Sequence, residues 1–224
     1  MGRETVRIGT MMGASWIHIV GFVLLVAGPS VVVASPNGPP ASRTSAPAIG
    51  GIGAESSCTG CHGGNPVNSG GSIALTGAPA YYTPGQLYTI TVELASTQNQ
   101  GAGHQWGFEL TAIKLTDGTG AGTFANVTGQ GTTIMPGSGS YSTRAYICQL
   151  SAGLRLDIPS PATWQVEWTA PAGGTGPVAF YFTGMAANGA DGADFDYVYT
   201  GSFSAQDVTP TLSTTWGRIK ASYR

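Results

Sequence analysis

The sequence predicts an all-β protein folded as an antiparallel β-sandwich, and three observations support this prediction. The 224 residues include 35 glycines and 14 prolines, about 22% of the chain against an average near 12%. Charged residues make up only 9% and hydrophobic residues 42%, which is typical neither of disordered chains nor of helical bundles. Short segments also alternate apolar and polar residues with a period of two, and turn sequences separate them.

This alternation places apolar side chains on one face of each predicted strand. The clearest sets are Tyr88, Ile90, Val92 and Leu94; Trp106, Phe108, Leu110 and Ala112; Trp164, Val166 and Trp168; and Val178, Phe180 and Phe182. Further strands are predicted at residues 72–76, 122–127, 144–149 and 197–204. Turns such as Thr83-Pro84-Gly85 and Pro136-Gly137 separate them. We therefore expect a sandwich domain over residues 71–206.

The first 35 residues have the order of a secretory signal peptide. Arg3 and Arg7 precede an apolar stretch, and small residues follow it. A membrane-spanning helix needs about 20 apolar residues, and His18 and Pro29 interrupt this segment. We expect export to the periplasm, the cell surface or the medium, with no membrane span in the mature chain. An uncleaved N-terminal anchor is the alternative.

Two further segments lack a strand pattern. Residues 36–56 are rich in Pro, Ser, Gly and Ala, which predicts a flexible linker. The tail at residues 207–224 ends in a short basic and aromatic stretch. It is predicted to be a short amphipathic helix or a frayed terminus.

The charge distribution bears on possible partners. Nine basic and eleven acidic residues give a net charge of −2, and the basic residues form no run. Because binding to phosphate backbones needs clustered cations, no nucleic-acid partner is expected.

The cysteines give the strongest indication of chemistry. Cys58 and Cys61 precede His62 in the Cys-x-x-Cys-His signature of covalent c-type haem attachment. Two thiols three positions apart can reach the two vinyl groups of one haem, and the adjoining imidazole can then bind the iron as proximal ligand. We therefore predict that residues 57–70 attach one haem c per chain.

Other interpretations of the two cysteines stay open. An exported protein can form a disulfide between Cys58 and Cys61. A thioredoxin-like redox pair would need a βαβ context, which this sequence lacks. A zinc site needs four ligands, and beyond the motif only His104, Cys148 and carboxylates could supply them.

A haem iron held by His62 has a second axial position, and few residues could fill it. His104 follows a glycine-rich loop, where the backbone can approach a flat macrocycle, and it is the slightly preferred candidate. Met185 ends a predicted strand and is the alternative, since His/Met ligation occurs in cytochromes c. Met135, in another loop, is a weaker candidate, and an open face is the remaining option.

Two other sets of residues are expected to have no special chemistry. Cys148 lies in an apolar strand and is predicted to be a buried, inert thiol. Asp191, Asp194 and Asp196 form an acidic loop that is predicted to be a solvated turn rather than a calcium site. The sequence contains no catalytic motif of the hydrolase, zincin or P-loop type.

Several short motifs follow one another in order along residues 57–205. They are Cys58-Thr59-Gly60-Cys61-His62, Ser69-Gly70-Gly71-Ser72, Tyr82-Thr83-Pro84-Gly85-Gln86-Leu87-Tyr88, Trp106-Gly107-Phe108-Glu109-Leu110-Thr111-Ala112, Trp168-Thr169-Ala170-Pro171, Ala186-Ala187-Asn188-Gly189 and Tyr197-Val198-Tyr199-Thr200. In these motifs the chain resembles bacterial domains related to the reelin N-terminal (reeler) domain, often labelled choice-of-anchor V. The resemblance implies an immunoglobulin-like β-sandwich, secreted or at the bacterial cell surface. It implies little about activity, because one fold supports many functions.

Together these observations predict an exported monohaem c-type cytochrome that transfers electrons outside the cytoplasm, to a redox partner or surface component that the sequence does not identify. The alternative is a cell-surface adhesion or matrix-binding module in which Cys58 and Cys61 form a disulfide. A third hypothesis is a peroxidase-like haem enzyme with an open distal face.

Overall fold

A computed structural model describes residues 1–2, 37–98, 102–190, 192 and 194–208 of the chain. The chain divides into two units, Met1–Val31 and Val32–Arg224, and every element given below belongs to the second. Most of the predicted signal peptide and most of the predicted C-terminal tail lie outside the described residues.

Ten strands account for most of the regular structure. They are β1 (Gly71–Thr76), β2 (Tyr81–Tyr82), β3 (Leu87–Ser96), β4 (Gln105–Lys114), β5 (Thr123–Asn126), β6 (Thr132–Pro136), β7 (Ala145–Gln149), β8 (Ala162–Thr169), β9 (Val178–Ala187) and β10 (Tyr197–Asp207). Short 3-10 turns occur at Cys58–Gly60, Gly139–Tyr141 and Ser151–Gly153. In the described part of the chain, no helix is long and apolar enough to cross a membrane.

The strands form two sheets that enclose a common core. The smaller sheet has four strands in the order β1-β3-β8-β5, and the larger has six in the order β2-β10-β9-β4-β7-β6. All pairings are antiparallel except that of the two-residue strand β2 with β10. The predicted all-β, antiparallel sandwich is therefore confirmed, with one short parallel pair added.

The core includes the apolar side chains that the period-two pattern predicted, with Tyr88 partly buried against it. Phe108 and Trp164 face each other from opposite sheets, with ring centroids 4.8 Å apart. Trp168 meets Phe180 edge to face, also at 4.8 Å. The buried indole nitrogens are satisfied, since Trp164 donates to the Gly153 carbonyl and Trp168 to the Ala121 carbonyl. Each such side chain contributes about 1.5–3 kcal/mol through burial.

The outer face of the six-stranded sheet is covered by residues 37–62, which we call the strap. A buried carboxylate, Glu55, fastens the strap to β7. It accepts hydrogen bonds from Arg144 Nη1 at 2.6 Å and from the Tyr146 hydroxyl at 2.5 Å. Within the strap, Thr44 donates its hydroxyl proton to the other Glu55 oxygen.

This arrangement differs from the flexible linker predicted for residues 36–56. Thr44, Ala46 and Glu55 are buried, and Glu55 forms an ion pair with Arg144 in which both side chains are fully buried. The composition of the segment gave no sign of this, because one carboxylate fastens a stretch that is otherwise rich in small residues.

Candidate functional site

The Cys-x-x-Cys-His motif lies at the end of the strap, where the 3-10 turn Cys58–Gly60 packs against β9. Ser57 caps this turn by accepting a hydrogen bond from the Thr59 amide. The Cys58 carbonyl accepts from the amides of Cys61 and His62, at 3.1 and 2.9 Å. These bonds gather both thiols and the imidazole into one tight turn.

The His62 ring is bonded to a residue far along the chain. Its Nδ1 lies 2.6 Å from Oδ2 of Asp196, and the side chains are 12% and 1% exposed. Because a carboxylate accepts this bond, Nδ1 carries the proton in the neutral ring and Nε2 carries the lone pair. Nε2 is thus the ring atom that can act as a ligand or accept a proton.

Asp196 is itself fixed in place. Its Oδ1 accepts a hydrogen bond from the Asn188 amide at 3.0 Å, and its own amide donates to the Gly63 carbonyl at 3.0 Å. The Asn65 side-chain amide donates to the Asp196 carbonyl. Gly64 lies directly against Phe195 with φ = +102°, and a Cβ at that position would collide with the Phe195 backbone.

Both cysteines of the motif are free and partly buried. Burial, with smaller contributions from the neighbouring Glu109 and Cys61, raises the pKa of the Cys58 thiol to about 12. Since the thiolate is the reactive form, Cys58 is a poor nucleophile in this structure.

Metal binding by protein side chains alone has no support in this structure. Among the residues it describes, no three His, Cys, Asp or Glu side chains are close enough to hold a metal ion together. A haem needs less from the protein, since the porphyrin supplies four nitrogens and the chain supplies only axial ligands.

Glu109 is a second buried carboxyl group near the motif. It lies in β4 directly opposite Thr183 in β9 and Cys148 in β7, and it is fully buried. One oxygen accepts the amides of Ser42 and Arg43, at 2.9 and 3.1 Å. Burial, with Glu55 as a further contribution, raises the pKa of this carboxyl to about 8.

His104 immediately precedes β4. Its Nε2 is 2.9 Å from the Ile158 carbonyl, and its Nδ1 is 3.5 Å from the Asp157 carboxylate. The ring meets Trp106 edge to face at 6.0 Å, and Trp106 belongs to the core between the sheets. The His104 backbone lies against Gly189, and the amide of the preceding residue, Asn188, donates to Asp196, the partner of His62.

Met185 lies on the same face as the motif. In β9 the core residues Phe180, Phe182 and Ala186 point inward, so alternation turns Met185 outward, towards the strap. It is half-buried and lies between Gly107 and Val198 on the neighbouring strands. Met185 and His104 both stay predictions as second axial ligands.

The remaining residues singled out in the sequence have simpler settings. Cys148 is fully buried, and its sulfur lies 4.0 Å from that of Met135. Burial raises the pKa of Cys148 to about 12, in accord with an inert thiol. Asp194 is exposed, but the solvated turn predicted for the acidic loop is wrong for Asp196, which is buried against His62.

No pattern in the sequence marks Asp196, Glu55 or Glu109 as a member of this region. His62 and Asp196 are 134 positions apart, so no local spacing connects them. Glu109 occupies a position in β4 that alternation assigns to the solvent side, and only the strap buries it.

Comparisons with known proteins give limited similarities. No protein-family model matches the chain, and no curated protein matches its sequence. Among solved structures, the chain is similar to the human F-spondin reeler domain, with 20% identity and a TM-score of 0.40 over 65% of this chain and 95% of that domain. It is also similar to a cohesin module of a Clostridium perfringens family 33 glycoside hydrolase, with 9% identity and a TM-score of 0.39 over 61% of this chain and 96% of the module. The assignment of the sandwich rests on the strand topology given above.

Proposed function

We propose that the protein is an exported monohaem c-type cytochrome that transfers electrons outside the cytoplasm. One observation supports this most directly: the 2.6 Å bond from His62 Nδ1 to the buried Asp196 carboxylate. It leaves Nε2 available beside two free cysteines in the same turn. A ligating histidine whose other nitrogen donates to a carboxylate is a common arrangement at metal centres.

The residues of the motif fit the chemistry of covalent haem attachment. Cys58 and Cys61 would each form a thioether with one vinyl group, and His62 Nε2 would bind the iron. When bound, the haem iron supplies a one-electron ferric–ferrous couple.

The surroundings of Cys58 bear on when during folding the haem would be attached. In the structure this thiol is partly buried near Glu109, and burial raises its pKa to about 12. We therefore expect the thioethers to form before the strap closes over the sheet. The strap would then close with Glu55 bonded to Arg144 and Tyr146.

The proposed location is inferred from the sequence. The predicted signal peptide at residues 1–35 implies export, and the few charges of the chain imply no nucleic-acid partner. The redox partner, or the surface component that takes its place, is not identified by any residue described here.

The test is expression with a cytochrome c maturation system, followed by a haem stain of a denaturing gel and a pyridine haemochrome spectrum. We expect one covalent haem per chain, lost in the Cys58→Ala/Cys61→Ala variant. Cys148→Ala is the matched control, because that thiol lies outside the motif, and it should keep the haem.

A colourless protein with a disulfide between Cys58 and Cys61, detected by mass spectrometry, would contradict this proposal. That outcome would favour the adhesion or matrix-binding module instead.

A further inference from the structure

Asp196 is a buried carboxylate that accepts a hydrogen bond on each of its two oxygens. Its side chain is 1% exposed, and its two carboxylate oxygens accept from His62 Nδ1 and from the Asn188 amide. Within the described part of the chain, no lysine or arginine nitrogen lies within ion-pair distance of it. A buried carboxylate is costly without hydrogen-bond donors, and here the donors are His62 Nδ1 and the Asn188 amide.

Such a carboxylate affects the imidazole in two ways. It fixes the tautomer and the ring orientation, and it makes Nε2 a stronger electron donor. An anion close to an iron ligand also stabilises the more positive oxidation state of the metal. Both effects favour the ferric over the ferrous form.

We propose that Asp196 is a positioning residue that fixes the Nδ1–H tautomer of His62 and lowers the reduction potential of the site. The second part rests on the proposed haem, whereas the first concerns the polypeptide alone.

The first experiment needs no haem. In the haem-free protein, ¹⁵N NMR of the histidine side chains should show neutral His62 as the Nδ1–H tautomer. In Asp196→Ala the ring should become a mixture of tautomers. A predominant Nε2–H tautomer in the unmodified protein, or an unchanged spectrum in Asp196→Ala, would overturn the positioning role.

Removing a buried side chain can also unfold a protein, so a second variant keeps the shape. Asp196→Asn retains an oxygen that can accept the Nδ1 proton but removes the charge. We expect it to keep the tautomer and the fold, judged by the dispersion of the NMR spectrum.

The second experiment measures the reduction potential of the haem-loaded protein. Asp196→Asn should shift the ferric–ferrous equilibrium at least tenfold towards ferrous, which is about 59 mV for one electron. Asp194→Asn is the matched control, because it removes one exposed charge from the same loop. Equal shifts in the two variants would show an effect of net charge and overturn the proposed tuning by the Asp196–His62 bond.

The two experiments separate the possible failures. If no haem attaches but the tautomer result holds, the proposed function fails and Asp196 still positions His62. If haem attaches and the tautomer is not fixed by Asp196, the cytochrome assignment stands and this inference fails.

Discussion

The two faces of the six-stranded sheet are buried by different means. The inner face packs aromatic and aliphatic side chains, such as Trp106, Phe108 and Phe180, against the other sheet. The outer face buries charged side chains, Glu55, Glu109 and Arg144, under the strap.

The difference also appears in unsatisfied polar atoms. In the described residues, the buried side-chain atoms without a hydrogen-bond partner are Arg43 Nε, Glu109 Oε2, Arg144 Nη2 and Thr183 Oγ1. All four lie between the strap and the outer face. The face under the strap is therefore the more polar of the two buried faces. We interpret it as the part of the fold that places the motif, while the inner face stabilises the domain.

The largest effect should come from the inner face. Phe108→Ala removes a ring that packs against Trp164. Such truncations lower the free energy of unfolding by about 3–5 kcal/mol. Urea unfolding followed by tryptophan fluorescence measures this. Tyr81→Ala is the control, because that ring is 69% exposed and its loss should change stability by less than about 0.5 kcal/mol.

On the outer face, Arg144→Met should lower the free energy of unfolding by about 3 kcal/mol, because it leaves Glu55 charged and buried without its cation. The strap should then become sensitive to limited proteolysis while the strands persist. The double variant Glu55→Gln/Arg144→Met should recover much of the loss, since no unpaired charge remains. If the double variant is as unstable as Arg144→Met, the unpaired charge of Glu55 is not the cause of the lost stability.

The sequence predicts the burial of one face of the six-stranded sheet but not that of the other. The inner face follows from alternation, which placed Trp106, Phe108 and Phe180 correctly because each strand buries one side in the core. The outer face does not, because a polar residue at an outward position is expected to be solvated, and nothing local to Glu109 indicates a covering segment. The motif was found from five adjacent letters, whereas Asp196 required a contact across 134 positions.

A smaller effect should depend on pH through Glu109. Its pKa is raised from 4.5 to about 8 in the folded protein, so between these values the folded state binds more protons than the unfolded state. Stability should therefore fall as the pH rises from about 4.5 to 8. Glu109→Gln should remove this dependence and be roughly 1–3 kcal/mol more stable than the unmodified protein at pH 8. Denaturant midpoints at several pH values test this, and identical slopes for both proteins would contradict it.

The smallest effect on folding, and the most direct test of the two faces, concerns the second axial ligand in the haem-loaded protein. Met185 shares the outer face with His62, whereas the His104 ring lies beside core residue Trp106 with Nε2 bonded to the Ile158 carbonyl. We therefore expect the oxidised spectrum to show the weak charge-transfer band of methionine ligation. The Met185→Ala variant should lose this band and should bind added imidazole more easily. His104→Ala should cost about 1 kcal/mol through the lost hydrogen bond and leave the spectrum unchanged. Met135→Ala serves as the control for removing a thioether elsewhere. If His104→Ala instead changes the spectrum while Met185→Ala does not, His104 is the second axial ligand, as the sequence predicted. Residues of the inner and the outer face would then both reach the iron in the haem-loaded protein.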